Sequence, residues 1–316
     1  MSSPVGGPNF TTYLESWSSD KPSPMQVLQT MAANNEITPQ TTINISFCSF
    51  DFSNAGNPLP GLQLAGNPND NATALKNIVQ FIHSHGGKVQ LSFGGASYPL
   101  GPCLQDMQTG GSSVIAQHIS DILKQYGLDG VDLDIEDNVT SLKDSTGQYK
   151  VVKFLNYLRS DLGPDKNISL TLRGQDNAGG GSISTWGPLC KSYVNTYNFM
   201  EYDMWVPQGT STADQIKADI KAYIACGIPP EKIVIGLMPG LSNGGRMNTT
   251  IADCQAIVAF VKSMGLAGVM MWDANRDIAG NSVPDGTGCA SNKFTQSLEA
   301  LLFGNNNNDY NTKAKN

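Results

Sequence analysis

Eight short apolar runs rich in strand-forming residues recur along the chain, and a stretch with helical periodicity follows each. This alternation limits the fold more than any other feature. The runs span residues 10–17, 41–50, 88–93, 128–135, 167–173, 196–203, 232–238 and 266–273. One helical stretch begins near Asn71, carries Leu75, Ile78, Val79 and Ile82 on one face, and stops at Gly86. Others end at Gly127, Gly163, Gly227 and Gly265, where glycine adopts the left-handed conformation that closes helices. Thr212 and Asn248 read as caps for two of them. Eight such units in 316 residues predict an α/β fold, a (β/α)8 TIM barrel in a single domain. A doubly wound sheet would have fewer strands and would often carry a glycine-rich phosphate loop after the first, which is absent. The barrel is expected over residues 1–304, with an Asn-rich polar tail over 305–316 expected to be disordered.

Charge and composition then exclude several function classes. There are 20 basic residues against 27 acidic ones, a net charge of −7, and no basic cluster outside residues 313–315. Nucleic-acid binding needs a basic footprint, so none is expected. No apolar run approaches the ~18 residues of a membrane span. The six cysteines are scattered, with no CxxC pair and no histidine at ligand spacing, so no metal site is expected. Whether any of them pair is left open by spacing alone. Charged residues make up 15% of the chain, below the usual ~25%. Asn, Ser, Thr and Gln carry the polar work instead, which suits an uncharged polar substrate such as a sugar. Six Asn-x-Ser/Thr sites occur, at Asn9, Asn44, Asn71, Asn138, Asn167 and Asn248, with Asn44 and Asn167 falling in predicted strands. Residues 1–8 show no leader pattern. These features together lean toward an exported, extracellular protein whose leader was removed or replaced.

The sharpest chemical feature is the segment Asp129-Gly-Val-Asp132-Leu-Asp134-Ile-Glu136. Side chains alternate along a strand, so Asp132, Asp134 and Glu136 share one face while Val131, Leu133 and Ile135 take the other. The apolar row must face the surrounding helices, which turns the acidic row into the barrel. Its members are ~7 Å apart by strand rise. Three carboxylates held together there repel one another and lose solvation, so at least one should hold a proton near neutral pH. Such a row at the C-terminal end of a barrel strand is where catalytic groups are found.

That segment resembles the DxxDxDxE motif of the family 18 glycoside hydrolases, the chitinases and their relatives. Ser92-Phe-Gly94-Gly95 resembles the SxGG motif of the family's third strand. Met200-Glu-Tyr202-Asp203 resembles the MxYD motif of its sixth, and Trp272 stands in the eighth-strand segment whose tryptophan lies under the reacting sugar. Tyr13 and Phe47 fall where the family places aromatics beside that sugar.

The resemblance implies a retaining chitinase acting on β-1,4-linked N-acetylglucosamine, without a cofactor and as a monomer. Glu136 would be the general acid, and Asp134, supported by Asp132, would orient the substrate's acetamido group. Tyr202 would donate to the acetamido oxygen. Tyr13, Phe47, Gly94, Gly95, Met200, Asp203 and Trp272 would contact sugar, while Asp129 and Ser92 would hold the motifs in place. The span 239–265 is too short for the α+β insertion of larger chitinases, which points to an open groove and endo-type cleavage. An endo-β-N-acetylglucosaminidase acting on N-glycans and a non-catalytic carbohydrate-binding member are the alternatives. Several residues depart from or add to the family pattern. Arg173 stands where relatives have small residues and is expected to shape a subsite or pair with an acid. Glu201 is expected to point outward. Trp186 and Trp205 are open between sugar contact and helix cover, and His83, His85 and His118 are expected on surfaces or in packing.

Overall fold

Strands β1 (Asn9–Glu15), β2 (Thr41–Cys48), β3 (Lys88–Gly94), β4 (Gly130–Ile135), β5 (Asn167–Arg173), β6 (Thr196–Met200), β7 (Ile233–Leu237) and β8 (Gly268–Met271) pair in parallel in sequence order, and β8 returns to β1. The barrel is closed, as the alternation predicts. The computed structural model describes residues 7–17, 22–54, 57, 59–101, 104, 113–137, 142–174, 183–240, 249–280 and 291–304. The polar tail, Asn138, Asn248, Cys103 and Cys289 lie outside the described residues.

Helices α1 (Pro24–Ala33), α2 (Asn71–Ser84), α3 (Val114–Tyr126), α4 (Lys150–Leu162), α5 (Ile183–Trp186), α6 (Thr212–Ala225) and α7 (Ile251–Met264) each follow the strand of the same number. After β8 come α8 (Ala274–Ala279) and α9 (Lys293–Phe303). Local chemistry sets their ends. Ser23 and Gln26 form a reciprocal capping box on α1, and Thr250 and Asp253 form another on α7. Gly127 and Gly265 close α3 and α7 in the left-handed conformation, at φ 71° and 63°. The cap of α6 is Ser211, one residue before the expected Thr212, because the Ser211 hydroxyl is the one that reaches the Asp214 amide. The strands stop short of several apolar runs. β6 ends at Met200 rather than at 203, where Asp203 turns into the left-handed region at φ 57°.

The apolar core lies between barrel and helices. Val131, Leu133 and Ile135 of β4 belong to it, as alternation requires. Inside the barrel the layers are polar: the Gln90 amide donates to Asn44 Oδ1 (2.9 Å) and to Ser169 Oγ (3.2 Å). A small apolar group of Tyr13, Met200, Val234 and Met270 fills the remaining lumen. Cys48, Cys190 and Cys226 are free thiols. No described helix is long and apolar enough to cross a membrane.

Candidate active site

The inner columns of β3, β4 and β5 stand side by side. Register pairs Ser92 with Asp132 and Asp132 with Ser169, and one layer up it pairs Gly94 with Asp134 and Asp134 with Thr171. Asp132 is fully buried and takes four hydroxyl donors. Oδ2 accepts from Tyr13 (2.7 Å) and Ser92 (2.6 Å), and Oδ1 accepts from Ser169 (2.6 Å) and Thr171 (2.8 Å). Burial raises its pKa, and those bonds work against the rise.

Asp134 has no such support. It is 4% exposed, and its Oδ1 finds no hydrogen-bond partner among the described residues. Burial pushes its pKa well up, the charges of Glu136 and Asp132 add to the rise, and Arg173 opposes it. Burial and the two neighbouring charges thus favour the protonated form of Asp134. Glu136 sits just past the end of β4, and Arg173 Nε and Nη2 both donate to its Oε2, at 3.1 and 2.9 Å. Tyr202 is held far above the ordinary phenol value, by burial first and then by Asp134 and Glu136. Its hydroxyl stays a donor throughout the neutral range.

A cavity of about 810 Å³ opens over this row. Every strand contributes a residue at or just past its C-terminal end: Trp17, Phe47, Ala96, Glu136, Arg173, Tyr202, Met238 and Trp272. Its floor is aromatic. Phe47 and Trp272 stack with ring centres 5.4 Å apart and planes 11° apart, and Trp17 stacks on Phe47 at 5.8 Å. A flat apolar floor beside a polar, acidic wall suits a pyranose ring, whose faces carry C–H groups and whose rim carries hydroxyls. Among the described residues, no group of His, Cys, Asp and Glu has the arrangement of a metal site.

The sequence of residues 9–241 matches the family model described as Glycosyl hydrolases family 18. The chain belongs to that family. No curated protein matches the chain. Solved structures with the same barrel include a chitinase from Rhizomucor miehei, 19% identical, covering 93% of this chain and 99% of that one with a TM-score of 0.65. The second catalytic domain of an Ostrinia furnacalis Group II chitinase, solved with a chitooligosaccharide, is 17% identical and covers 94% and 97% with a TM-score of 0.68. A fungal endo-β-N-acetylglucosaminidase is 22% identical and covers 94% and 99% with a TM-score of 0.68.

Within this family 18 site, some expected sugar contacts stand elsewhere. Phe47, Met200, Tyr202, Asp203 and Trp272 border the cavity with Asp134 and Glu136. Tyr13 does not: it is fully buried and spends its hydroxyl on Asp132. Its register opposite Asn44 sets it a layer below Phe47. Gly94 and Gly95 shape the wall rather than line it. A Cβ on Gly94 would lie 2.0 Å from the Asp134 carbonyl oxygen, and one on Gly95 would lie 2.7 Å from the Phe47 ring. Small size at these two positions lets β3 approach β4 and seats the aromatic. Asp129 lies at the far end of the barrel, where Oδ2 accepts from the Val89 amide and meets His83 Nε2, each at 2.8 Å. It ties β3, β4 and α2 together away from the cavity.

Other departures have equally direct causes. Glu201 points away from the cavity but not into solvent. It is fully buried under α6 beside Asp219, and neither of its carboxylate oxygens finds a hydrogen-bond partner among the described residues. Trp186 is core, at 1% exposure, whereas Trp205 borders the cavity at 68%. Asn71, one of the glycosylation-type sites, is 2% exposed and bonded to the Leu62 carbonyl. His118 stacks on Phe52, and His85 meets Phe81 at a tilt. Sequence reading missed Trp17, Tyr98 and Met238 as cavity residues. A signal existed for two of them: Trp17 closes the first apolar run, and Tyr98 follows Gly95 by three residues.

Proposed function

We propose that this glycoside hydrolase is an endo-acting chitinase that cleaves β-1,4-linked N-acetylglucosamine polymers with retention, using the substrate's own acetamido group as nucleophile. The observation that carries the reading is the buried Asp134, its Oδ1 without a hydrogen-bond partner among the described residues, beside Glu136 at an aromatic floor. Glu136 gives its proton to the glycosidic oxygen as the C1–O bond breaks. The acetamido carbonyl oxygen closes on C1, and its intramolecular placement replaces a bimolecular attack. Asp134, ionised at that stage, faces the positive charge that develops on the acetamido nitrogen, and the Tyr202 hydroxyl holds the acetamido oxygen in line. Water then adds to C1, Glu136 takes its proton, and the ring opens to restore the acetamido group.

Family 18 is set apart from the two-carboxylate retaining scheme by this route. Asp203 is the one other carboxylate that borders the cavity among the described residues, and it is the competing nucleophile to exclude. The short span between β7 and β8 supports an open groove, hence cleavage at internal bonds. An insoluble polymer is met outside cells, so the reading carries an extracellular site of action.

The test is hydrolysis of a chitin hexamer followed by NMR of the first-formed anomer, with a thiazoline analogue as inhibitor. The expected results are β-anomer product, competitive inhibition, and no cleavage of fully deacetylated chitosan. A 2-fluoro sugar adduct on Asp203, detected by mass spectrometry, overturns the substrate-assisted route. Release of N-glycans with no cleavage of chitin oligomers replaces the substrate by the one named for the fungal endo-β-N-acetylglucosaminidase of similar fold.

A further inference from the structure

The β5 inner column repeats the β4 acidic row in complementary chemistry. Ser169 and Thr171 stand opposite Asp132 and Asp134, and Ile135 pairs with Leu172, which brings Arg173 level with Glu136. The first two of these three positions on β5, Ser169 and Thr171, are hydroxyls. The third is a guanidinium, half exposed, on a carboxylate whose side chain is 19% exposed.

Among the described residues the bonds to Glu136 come from Arg173 alone, and both end on Oε2. That geometry clamps one oxygen and leaves Oε1 outside the clamp, on a side chain that borders the cavity. A fork held by two N–H groups restricts the carboxylate in angle as well as distance.

We propose that Arg173 is a positioning residue for Glu136: it orients the carboxylate through Oε2 and, as the cation beside Glu136 and Asp134, favours the charged form of the pair. This rests on the acid/base reading of Glu136 given above. The same carboxylate must donate a proton in one half of the reaction and accept one in the other. A fixed cation favours the accepting half and leaves the donating half to a proton passed from Asp134 when substrate enters. The charged and titratable groups facing the pair are Tyr13 on β1, Asp132 on β4, Arg173 on β5 and Tyr202 after β6, with Asp203 bordering the same cavity. Arg173 is the cation among them.

The alkaline limb of the rate profile belongs to loss of the proton that Asp134 and Glu136 share. Removing a cation beside the pair makes that loss harder, so the limb moves to higher pH. The experiment compares wild type, Arg173→Gln and Arg173→Lys by steady-state kinetics across pH on whichever N-acetylglucosaminide the wild type cleaves, with thermal melts of each. Arg173→Gln should lower kcat by about 10–100-fold through misplacement of Glu136. KM should change by no more than about threefold, because the lost interaction is not one with bound substrate. Its alkaline limb should move up. Arg173→Lys should return the limb to its wild-type position and restore only part of kcat, since it keeps the charge and loses the fork.

An alkaline limb that stays in place in Arg173→Gln, whatever happens to kcat, overturns the proposal. Full activity in Arg173→Lys overturns it too, and this arm stands even where the Gln variant fails to fold. Wild type active, Glu136→Gln inactive and Arg173→Gln indistinguishable from wild type removes this inference alone. A wild type that cleaves no N-acetylglucosaminide removes both readings.

Discussion

Replacing Asp132 by Ala tests the arrangement beneath the reacting groups, because stability and activity should respond through different atoms. Four hydroxyls converge on this carboxylate. One can find a new partner: Tyr13 Oη lies 2.9 Å from Thr171 Oγ1 and can donate to it. Ser92, Ser169 and Thr171 keep no acceptor for their protons among the described residues, since Asn198 Nδ2 is itself a donor to Thr171. At about 1–3 kcal/mol for each stranded buried donor, the loss is about 3–9 kcal/mol. Removing a carboxylate whose own burial is unfavourable offsets part of this, which leaves about 3 kcal/mol. For a chain of this size that is a fall in Tm of roughly 6 °C.

The activity prediction for Asp132→Ala has an independent sign. The charge of Asp132 raises the pKa of Asp134, so its removal eases loss of the shared proton and moves the alkaline limb to lower pH. That is opposite to the effect expected for Arg173→Gln. Urea melts and a kcat profile over pH 4–9 measure both effects. Stability unchanged to within about 1 kcal/mol, or a limb that moves upward, would refute the reasoning.

Two further predictions concern the rest of the barrel. Glu36, 1% exposed and bonded by the Asn292 amide, has its pKa pushed to about 8 by burial, and Glu299 on α9 is pushed to about 9 by burial and by Glu36. The unfolded chain releases these protons near the ordinary ~4.3, so stability falls as pH rises from about 5 to about 9 and levels off above. Each group contributes at most about 1.4 kcal/mol per pH unit. Thermal melts over that range should slope downward in wild type and flatten in the Glu36→Gln, Glu299→Gln double variant, and parallel slopes would show the reasoning wrong. Gly94→Ala forces a Cβ against the Asp134 carbonyl at φ 116°, so it should destabilise by more than about 3 kcal/mol or abolish soluble expression.

Much of this was legible in the sequence for a physical reason. A strand in a barrel has two faces with opposite solvents, so Val131, Leu133 and Ile135 against Asp132, Asp134 and Glu136 could be oriented without coordinates. The motif glycines were legible as motif members but not in their role. Gly94 serves the backbone of the neighbouring strand, a contact 40 residues away in sequence that no local pattern encodes. Depth within the barrel was equally hidden. Tyr13 and Phe47 both read as aromatics near strand ends, yet stagger between β1 and β2 puts one beneath the site and the other on its floor. Glu201 shows a further gap: alternation turned it away from the cavity correctly, but only the packing of α6 decides that it meets another carboxylate rather than water.

The three acids of β4 share one face and one chemistry, yet each is accommodated differently along about two layers of barrel. Asp132, at the bottom, is met by hydroxyls from three strands, which work against the rise that burial gives its pKa. Glu136, at the mouth, is paired with a guanidinium and is partly exposed. Asp134 between them has no such hydroxyl support, and burial with the charges on either side pushes its pKa well up. The support below and the cation above thus favour the middle position as the place for a proton, next to the carboxylate proposed to deliver it. A core built for stability would replace this row with apolar side chains. The row is retained at the one end of the barrel where all eight strands open onto a cavity, and no histidine stands among the described residues that border it.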